Sequence, residues 1–267
     1  MTQVKKAALL IGINYKGTSS ELNGCINDVI NTKSMLLDAY GYDEKDISLL
    51  TDETSIKPTS QNIITQLYTL AVRSFKDDLS EIWITYSGHG SYIKDNNGDE
   101  DDGYDECLVP IDYESSGIVK DDILNNVLSY MNPKTRVVFI VDACHSETIL
   151  DLPYRYISGK KNVVENKNST ACGNIIMISG CKDTQTSSDA YGINNSKDYS
   201  GAMTSSLLYS LKKFEYNISC WQLLKEMRVF LEDRKFTQIP QMCCTEPLDN
   251  ITLFSCSKKQ KYFINRT

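Results

Sequence analysis

Apolar and polar positions along the chain fall into two alternating patterns. Residues 7–13 (AALLIGI) form a short continuous apolar run ending at Asn14, as expected of a strand buried on both faces. Residues 22–40 then place Leu22, Ile26, Val29, Ile30, Leu36, Leu37 and Tyr40 at helical spacing, closed by Gly41. The alternation continues with a strand at 47–50, a helix opened by Pro58-Thr59-Ser60 with Ile63, Ile64, Leu67, Leu70, Ala71 and Phe75 on one face, and a third strand at 81–86 (EIWITY). Residues 107–111 (CLVPI) suggest a short strand that Pro110 ends or confines to a sheet edge. A helix is expected at 123–130 and a fully apolar strand at 136–141 (RVVFIV). Strands alternating with helices imply an α/β domain with a mostly parallel central sheet flanked by helices on both faces.

Periodicity lapses at residues 153–173, which are polar, partly basic and read as an exposed linker. A strand at 175–179, a loop at 182–200, helices at 203–213 and 221–234 and a terminal strand at 251–254 are expected beyond it, with a frayed basic tail from Ser257. No internal repeat is visible, and no run of 18 apolar residues marks a membrane span. The apolar run after Lys5-Lys6 is too short, and lacks the small-residue cleavage site, to be a signal peptide. A chain of 267 residues fits one domain, or one with a long insertion.

Charge changes this picture at one place. The 28 Lys and Arg face 35 Asp and Glu, a net -7 that argues against nucleic acid or an anionic membrane as partner. The excess equals the seven acids Asp95, Asp99, Glu100, Asp101, Asp102, Asp105 and Glu106, which have no base among them. A solvated acidic loop and a cation site both account for such a run. It is not an EF-hand, because Glu100 stands where that loop requires Gly. The nine cysteines are odd in number and include no C-x-x-C pair, which fits a reducing cytosol better than a disulfide framework. Five Asn-x-Ser/Thr sequons are expected by chance in so Asn-rich a chain and imply no glycans.

Candidate chemistry gathers at two strand ends. The only histidines, His89 and His145, lie in Tyr86-Ser87-Gly88-His89-Gly90 and Asp142-Ala143-Cys144-His145-Ser146, each just past a core strand. In open parallel sheets ligands bind outside the carboxyl ends of strands, so both motifs reach the same rim. A thiolate nucleophile needs an imidazole close in space but not in sequence, and Cys144 with His89 meets that requirement 55 residues apart. His145 competes for the base role. His89 is favoured because Gly88 and Gly90 let its backbone approach a substrate closely. A strand-end cysteine with a structural role is the plainer alternative.

These two motifs, with Leu22-Asn23-Gly24-Cys25-Ile26-Asn27-Asp28 near the start, resemble the metacaspases among the caspase-like cysteine peptidases, over residues 6–255. The resemblance implies a caspase-haemoglobinase fold and cleavage after Arg or Lys. It divides the chain into one catalytic domain, 1–257, with a large-subunit-like part to about 154, a linker at about 155–173, a small-subunit-like part at 174–257 and a basic tail at 258–267. It implies a pocket for the basic side chain lined by Cys25, Asp28, Ser87 and Asp142, where two carboxylates would pair Arg or Lys and repel Asp. Backbone N–H groups of Gly90 and Cys144 would serve the oxyanion, and with no third member evident the catalytic unit is a His89–Cys144 dyad. It further implies calcium activation through Asp105, Asp121, Asp122 and Asp151, with the run Asp99 to Asp102 a cation-attracting approach to the site.

Arg155, Lys160, Lys161 and Lys167 make the linker a candidate for self-cleavage, as in a zymogen, though an ordinary solvated loop has the same composition. Glu147 stands where the family often has Gly, placing a carboxylate near Cys144. The start close to the first strand and the short linker favour a type I core without a proline-rich leader. A cytoplasmic monomer acting on protein or peptide substrates is expected. Two other functions fit the same residues: a catalytically silent protein that captures basic peptides, and a calcium-dependent interaction module.

Overall fold

The structure is a computed structural model that describes residues 4–94, 104–144, 149–156, 163–165, 173–180, 189–191, 199–247 and 251–254. In chain order the first half comprises β1 (Lys6–Gly12), α1 (Cys25–Asp38), β2 (Ile47–Thr51), α2 (Ser60–Lys76), β3 (Glu81–Ser87), β4 (Gly90–Lys94), β5 (Tyr104–Leu108), α3 (Tyr113–Ser116), β6 (Val119–Lys120), α4 (Asp121–Ser129) and β7 (Arg136–Asp142). The second half adds β8 (Tyr154–Tyr156), β9 (Val163–Glu165), β10 (Asn174–Ser179), β11 (Asp189–Tyr191), β12 (Tyr199–Gly201), α5 (Ala202–Lys213), α6 (Cys220–Asp233) and β13 (Gln241–Cys244).

Eight strands form the central sheet in the order β2-β1-β3-β7-β10-β13-β8-β9. The five from β2 to β10 run parallel, and β13, β8 and β9 continue the sheet antiparallel. Successive side chains on a strand point to opposite faces, so each parallel strand needs an apolar residue at every position. Ala7, Leu9 and Ile11 of β1 pack with Ile63 and Leu67 of α2 and Leu124 and Val127 of α4. Ala8 and Leu10 pack on the other face with Val29 and Leu36 of α1, Leu207 of α5 and Leu223 of α6. The expected α/β architecture is therefore present. A separate three-stranded sheet, β4-β5-β6, carries residues 107 and 108 of the expected fourth strand, which ends before Pro110.

Three expectations need correction. The stretch expected to be an exposed linker from Pro153 instead places Tyr154–Tyr156 and Val163–Glu165 in the central sheet, with Arg155 in register with Cys243. Its aromatic–polar–aromatic alternation is what an edge region tolerates: Tyr156 is buried near Trp221, and the Arg228 guanidinium donates to Tyr156 O at 3.1 Å and to Pro240 O at 2.7 Å. The loop expected at 182–200 contains β11 and the start of β12, and the expected strand at 251–254 reduces to one bridge, Ser219 with Thr252. Strand β13 went unread because its apolar core of Met242, Cys243 and Cys244 is only three residues long. Residues 145–148, the acids Asp95 to Asp102, Lys160, Lys161, Lys167 and the tail from Ser257 lie outside the described residues.

One close approach fixes how α1 sits on the sheet. A Cβ added to Gly12 would lie 2.5 Å from Cys25 O and 2.7 Å from Val29 Cγ2, so only glycine lets the first turn of α1 settle on the end of β1. Gly12→Ala should cost about 1–3 kcal/mol, the range for overpacking a rigid site. Urea unfolding measures it, and an unchanged midpoint would show that α1 shifts freely.

Candidate active site

The carboxyl ends of the parallel strands set the site in register. Thr51, Gly12, Ser87 and Asp142 are consecutive partners across β2, β1, β3 and β7. Partners in a parallel ladder share a face, so Ser87 and Asp142 lie side by side on the α1/α5 face. Helix α1 delivers the third group. Its entry is held by Asn14, whose Oδ1 accepts from Ile26 N–H at 3.2 Å, and its first turn carries Cys25 and Asp28. Asp28 Oδ2 accepts from Ser87 Oγ at 2.7 Å, and Oδ1 accepts from Gly201 N–H at 2.9 Å.

Asp142 serves the start of α5. Its Oδ2 accepts from Thr204 N–H at 2.9 Å and from Thr204 Oγ1 at 2.8 Å. Helix α5 has no side-chain cap of its own at Gly201, so a carboxylate from β7 supplies it and gains from the helix dipole. The two carboxylates converge on Gly201, where an added Cβ would meet Asp142 Oδ2 at 2.3 Å and Asp28 Oδ2 at 2.7 Å. Asp28 and Asp142 are 1% and 2% exposed, and Cys25 and Ser87 are buried with them. Asp28, Ser87 and Asp142 are thus brought together with Gly201 and Thr204, and Cys25 lies in the same first turn of α1 as Asp28.

His89 and Cys144 follow the two strands that carry Ser87 and Asp142. Gly88 N–H donates to Asp142 O at 3.3 Å, linking the strand ends. At Gly90 an added Cβ would fall 1.9 Å from Cys144 O and 3.2 Å from Ala143 Cβ, so the segment after His89 lies against the backbone of Cys144. Cys144 is partly exposed, whereas Cys25, Cys107, Cys220, Cys243 and Cys244 are buried. Burial pushes the Cys107, Cys220 and Cys244 thiols up to about 12, which leaves them inert as thiolates. His89 Nε2 lies 2.8 Å from the carbonyl oxygen of Ser20. A carbonyl accepts only, so that nitrogen carries a proton and Nδ1 is the one left to receive another. Sequence reasoning found no third partner for the imidazole because a main-chain carbonyl leaves no residue signature.

The carboxylates expected to bind calcium lie on the α2/α4 side of the rim. Asp105 on β5 is buried and accepts from Lys120 Nζ at 2.6 Å. Asp121 opens α4 and accepts from the N–H groups of Glu106 and Asp122, both at 2.7 Å. Asp151 Oδ2 accepts from Asn125 Nδ2 at 3.0 Å, and Asp122 is exposed. Burial raises the Asp121 carboxyl to about 7, and the nearby charges of Asp151 and Asp105 add to the effect. Three of the four residues therefore share one field, although no three His, Cys, Asp or Glu side chains among the described residues close around a single metal position. The Lys120 partner of Asp105 was not read from the sequence. His145 and Glu147 lie outside the described residues.

Comparison with known proteins identifies the family and the fold. Residues 5–153 match the family described as metacaspase, peptidase C14 domain. The chain is 34% identical over 94% of its length to Metacaspase-1A of Neurospora crassa and 34% identical over 94% to Metacaspase-1B of Aspergillus fumigatus. It spans 65% and 72% of the length of those two proteins. The crystal structure of protein GSU0716 from Geobacter sulfurreducens matches with a TM-score of 0.64 at 23% identity, covering 92% of this chain and 95% of that one. Caspase-1 from Spodoptera frugiperda matches with a TM-score of 0.55 at 12% identity, covering 90% and 86%. The expected caspase-like fold is shown by these structures. Among the described residues no helix is long and apolar enough to cross a membrane.

The two bonds from Thr204 to Asp142 make a testable prediction. Thr204→Val removes the hydroxyl partner of a buried carboxylate, which should cost about 1–3 kcal/mol, and Thr204→Ser should recover most of it. Urea unfolding of the three proteins measures this; equal stability of the valine variant would show that Asp142 does not lean on Thr204.

Proposed function

Since the chain belongs to the metacaspase family of peptidases, we propose that it is a calcium-stimulated cysteine endopeptidase cleaving after Arg or Lys, with Cys144 as nucleophile and His89 as base. The observation that carries this reading is the contact of Gly90 with the Cys144 backbone, which sets the imidazole and the partly exposed thiol on adjoining segments of one rim. His89 Nδ1 takes the thiol proton while Nε2 stays bound to Ser20 O. The thiolate then attacks the scissile carbonyl carbon, and the backbone N–H groups of Gly90 and Cys144 receive the developing oxyanion. Collapse expels the amine, protonated by His89, and leaves a thioester. Water, deprotonated by His89, hydrolyses that thioester and restores the thiol.

The pocket supports basic specificity. Hydrogen bonds from Ser87, Gly201 and Thr204 orient the carboxylates of Asp28 and Asp142 without adding a positive charge. A substrate guanidinium or ammonium brings that charge, and Cys25, buried in the first turn of α1 beside Asp28, is the fourth residue of the proposed pocket. A substrate Asp meets two like charges.

Asp105, Asp121, Asp122 and Asp151 are the residues that would hold calcium. The fit rests on the two buried carboxylates Asp105 and Asp121 on adjoining β5 and α4, where Asp121 accepts from Glu106 N–H. Burial raises the Asp121 carboxyl, and the charges of Asp151 and Asp105 add to this in a way that a cation would offset. Bound there, the ion supplies charge neutralisation that joins β5 and α4 to the segment following Cys144. Self-cleavage in the linker remains part of the proposal at Lys160, Lys161 and Lys167. Arg155 is paired in β8 and would have to leave the sheet to be cut.

Cys144→Ala should abolish hydrolysis of reporter peptides ending in Arg or Lys. In a positional peptide-library digest with and without calcium, cleavage after Asp would overturn the pocket assignment, and retained activity of the alanine variant would remove the nucleophile. The calcium site predicts a pH dependence. Asp121 in the folded protein holds a proton up to about 7 that the unfolded chain releases near the ordinary carboxylate pKa, so calcium-free stability falls as pH rises through that window. Calcium needs the ionised form, so its stabilising shift in melting temperature should be larger at about pH 8 than at about pH 5.5. A shift that is equal at both pH values, or survives Asp121→Asn with Asp122→Asn, would exclude this cluster.

A further inference from the structure

The main chain of His89 is held by two buried phenols that the chemical steps do not use. Tyr86 precedes Ser87 on β3, so strand alternation points it to the α2/α4 face while Ser87 faces the pocket. Tyr15 arrives from the segment after β1 with φ of 50°, in the left-handed region that residues with side chains seldom adopt. Tyr15 and Tyr86 are 1% and 0% exposed, and their hydroxyl oxygens lie 3.2 Å apart.

The bonds of these phenols form one consistent set. Tyr15 Oη accepts from His89 N–H at 3.0 Å and donates to Val109 O at 2.6 Å. Tyr86 Oη donates to His89 O at 2.7 Å and accepts from Val109 N–H at 3.2 Å. Tyr86 Oη also lies 3.0 Å from Val109 O, and Val109 N–H is 3.2 Å from both Tyr86 Oη and His89 O, so the two hydroxyls and the two peptide groups share one network. The pair reinforces the end of the β4–β5 ladder, where Gly90 lies opposite Leu108 and Val109 N–H also donates to His89 O at 3.2 Å. The Tyr15 ring also lies 4.7 Å from the imidazole, centroid to centroid. Gly88 completes the arrangement. An added Cβ there would come within 2.9 Å of the Tyr86 hydroxyl and 3.0 Å of the Tyr15 hydroxyl.

We propose that Tyr15 and Tyr86 are positioning residues for His89: by holding its N–H and its C=O, one hydroxyl on each, they fix where the imidazole meets the thiol of Cys144. The proposal rests on the reading of His89 as the base. Ser20 O holds the far nitrogen of the ring and the phenols hold the backbone, so the position of Nδ1 is set at both ends. A displacement of about 1 Å in a catalytic group can cost roughly a hundredfold in rate.

The test uses Tyr15→Phe and Tyr86→Phe in the full chain, each keeping the ring and losing one hydroxyl. Two readouts are taken: kcat and KM on an Arg or Lys reporter, and the rate of Cys144 alkylation by iodoacetamide against pH. We expect kcat to fall by about ten- to a hundredfold with KM held within about twofold. The alkylation inflection should move up by about one pH unit, toward an ordinary thiol, because a misplaced imidazole no longer stabilises the thiolate. In a His89→Ala background, Tyr15→Phe should cause no further loss of kcat. Folded variants with unchanged kcat and alkylation profile, or a full further loss without His89, would overturn the clamp. His89→Ala alone separates the two readings. If it leaves activity and the alkylation profile as they were, the dyad itself fails; if it changes both while the phenylalanine variants do not, only the clamp fails. Should one phenylalanine variant lose its native near-ultraviolet circular dichroism, the other carries the test, since each removes a different pair of bonds.

Discussion

The register of Gly12, Ser87 and Asp142 across three parallel strands is the constraint on which the site depends. It places a gap, a hydroxyl and a carboxylate in one row at the carboxyl ends of the strands. The gap admits the first turn of α1, and that turn brings Asp28 to within 2.7 Å of Ser87 Oγ. A slip of one residue in β3 would send Ser87 to the α2/α4 face and Tyr86 to the pocket, exchanging the function of the two faces. The apolar runs of β1, β3 and β7 do not prevent such a slip, being buried on both sides. The polar groups at their ends do, since Ser87 bonds Asp28 of α1 and Asp142 bonds Thr204 of α5, both on the α1/α5 side.

The sheet thereby separates two tasks that meet at His89. The α1/α5 face collects the carboxylates of the proposed pocket, and the α2/α4 face supplies the phenols that hold the backbone of His89, the proposed base. The same alternation that buries Trp83 against α1 and α5 and Ile84 against α2 and α4 assigns Ser87 and Tyr86 to these roles. Stability and chemistry share residues here. Asp142 caps α5 and also walls the pocket, so its carboxylate is fixed by the same bonds that hold the helix.

Much of this was legible in the sequence, for identifiable reasons. Five parallel strands were readable because burial on both faces demands unbroken apolar runs, and helices α1, α2, α4, α5 and α6 because their stripes recur at helical spacing. The pocket residues were named through resemblance, and spacing alone would have left Asp28 as a helix-surface acid. What escaped notice depended on main-chain groups or on partners distant in sequence. Ser20 contributes a carbonyl, Gly201 an amide and Asn14 a cap across 12 residues, and none of these leaves a compositional trace. Strands β8 and β13 were missed because they are short and the first is polar at its centre. Their pairing comes from tertiary neighbours such as Arg228.

The two acidic groups also differ in a way that the excess of negative charge does not reveal. Asp28 and Asp142 accept hydrogen bonds from hydroxyl and amide donors, which orient a carboxylate and leave its charge in place. Asp105 accepts from the ammonium of Lys120, which cancels charge locally. In the proposed function, a basic side chain would therefore meet oriented carboxyl groups, whereas a cation at the rim would first compete with Lys120 for Asp105. Asp121 is the member of this group whose ionisation is most opposed, by burial first and by the fields of Asp151 and Asp105. The fold thus keeps two acidic groups of different chemistry on its two faces, the one oriented by neutral donors and the other partly paired with an ammonium, with His89 between them.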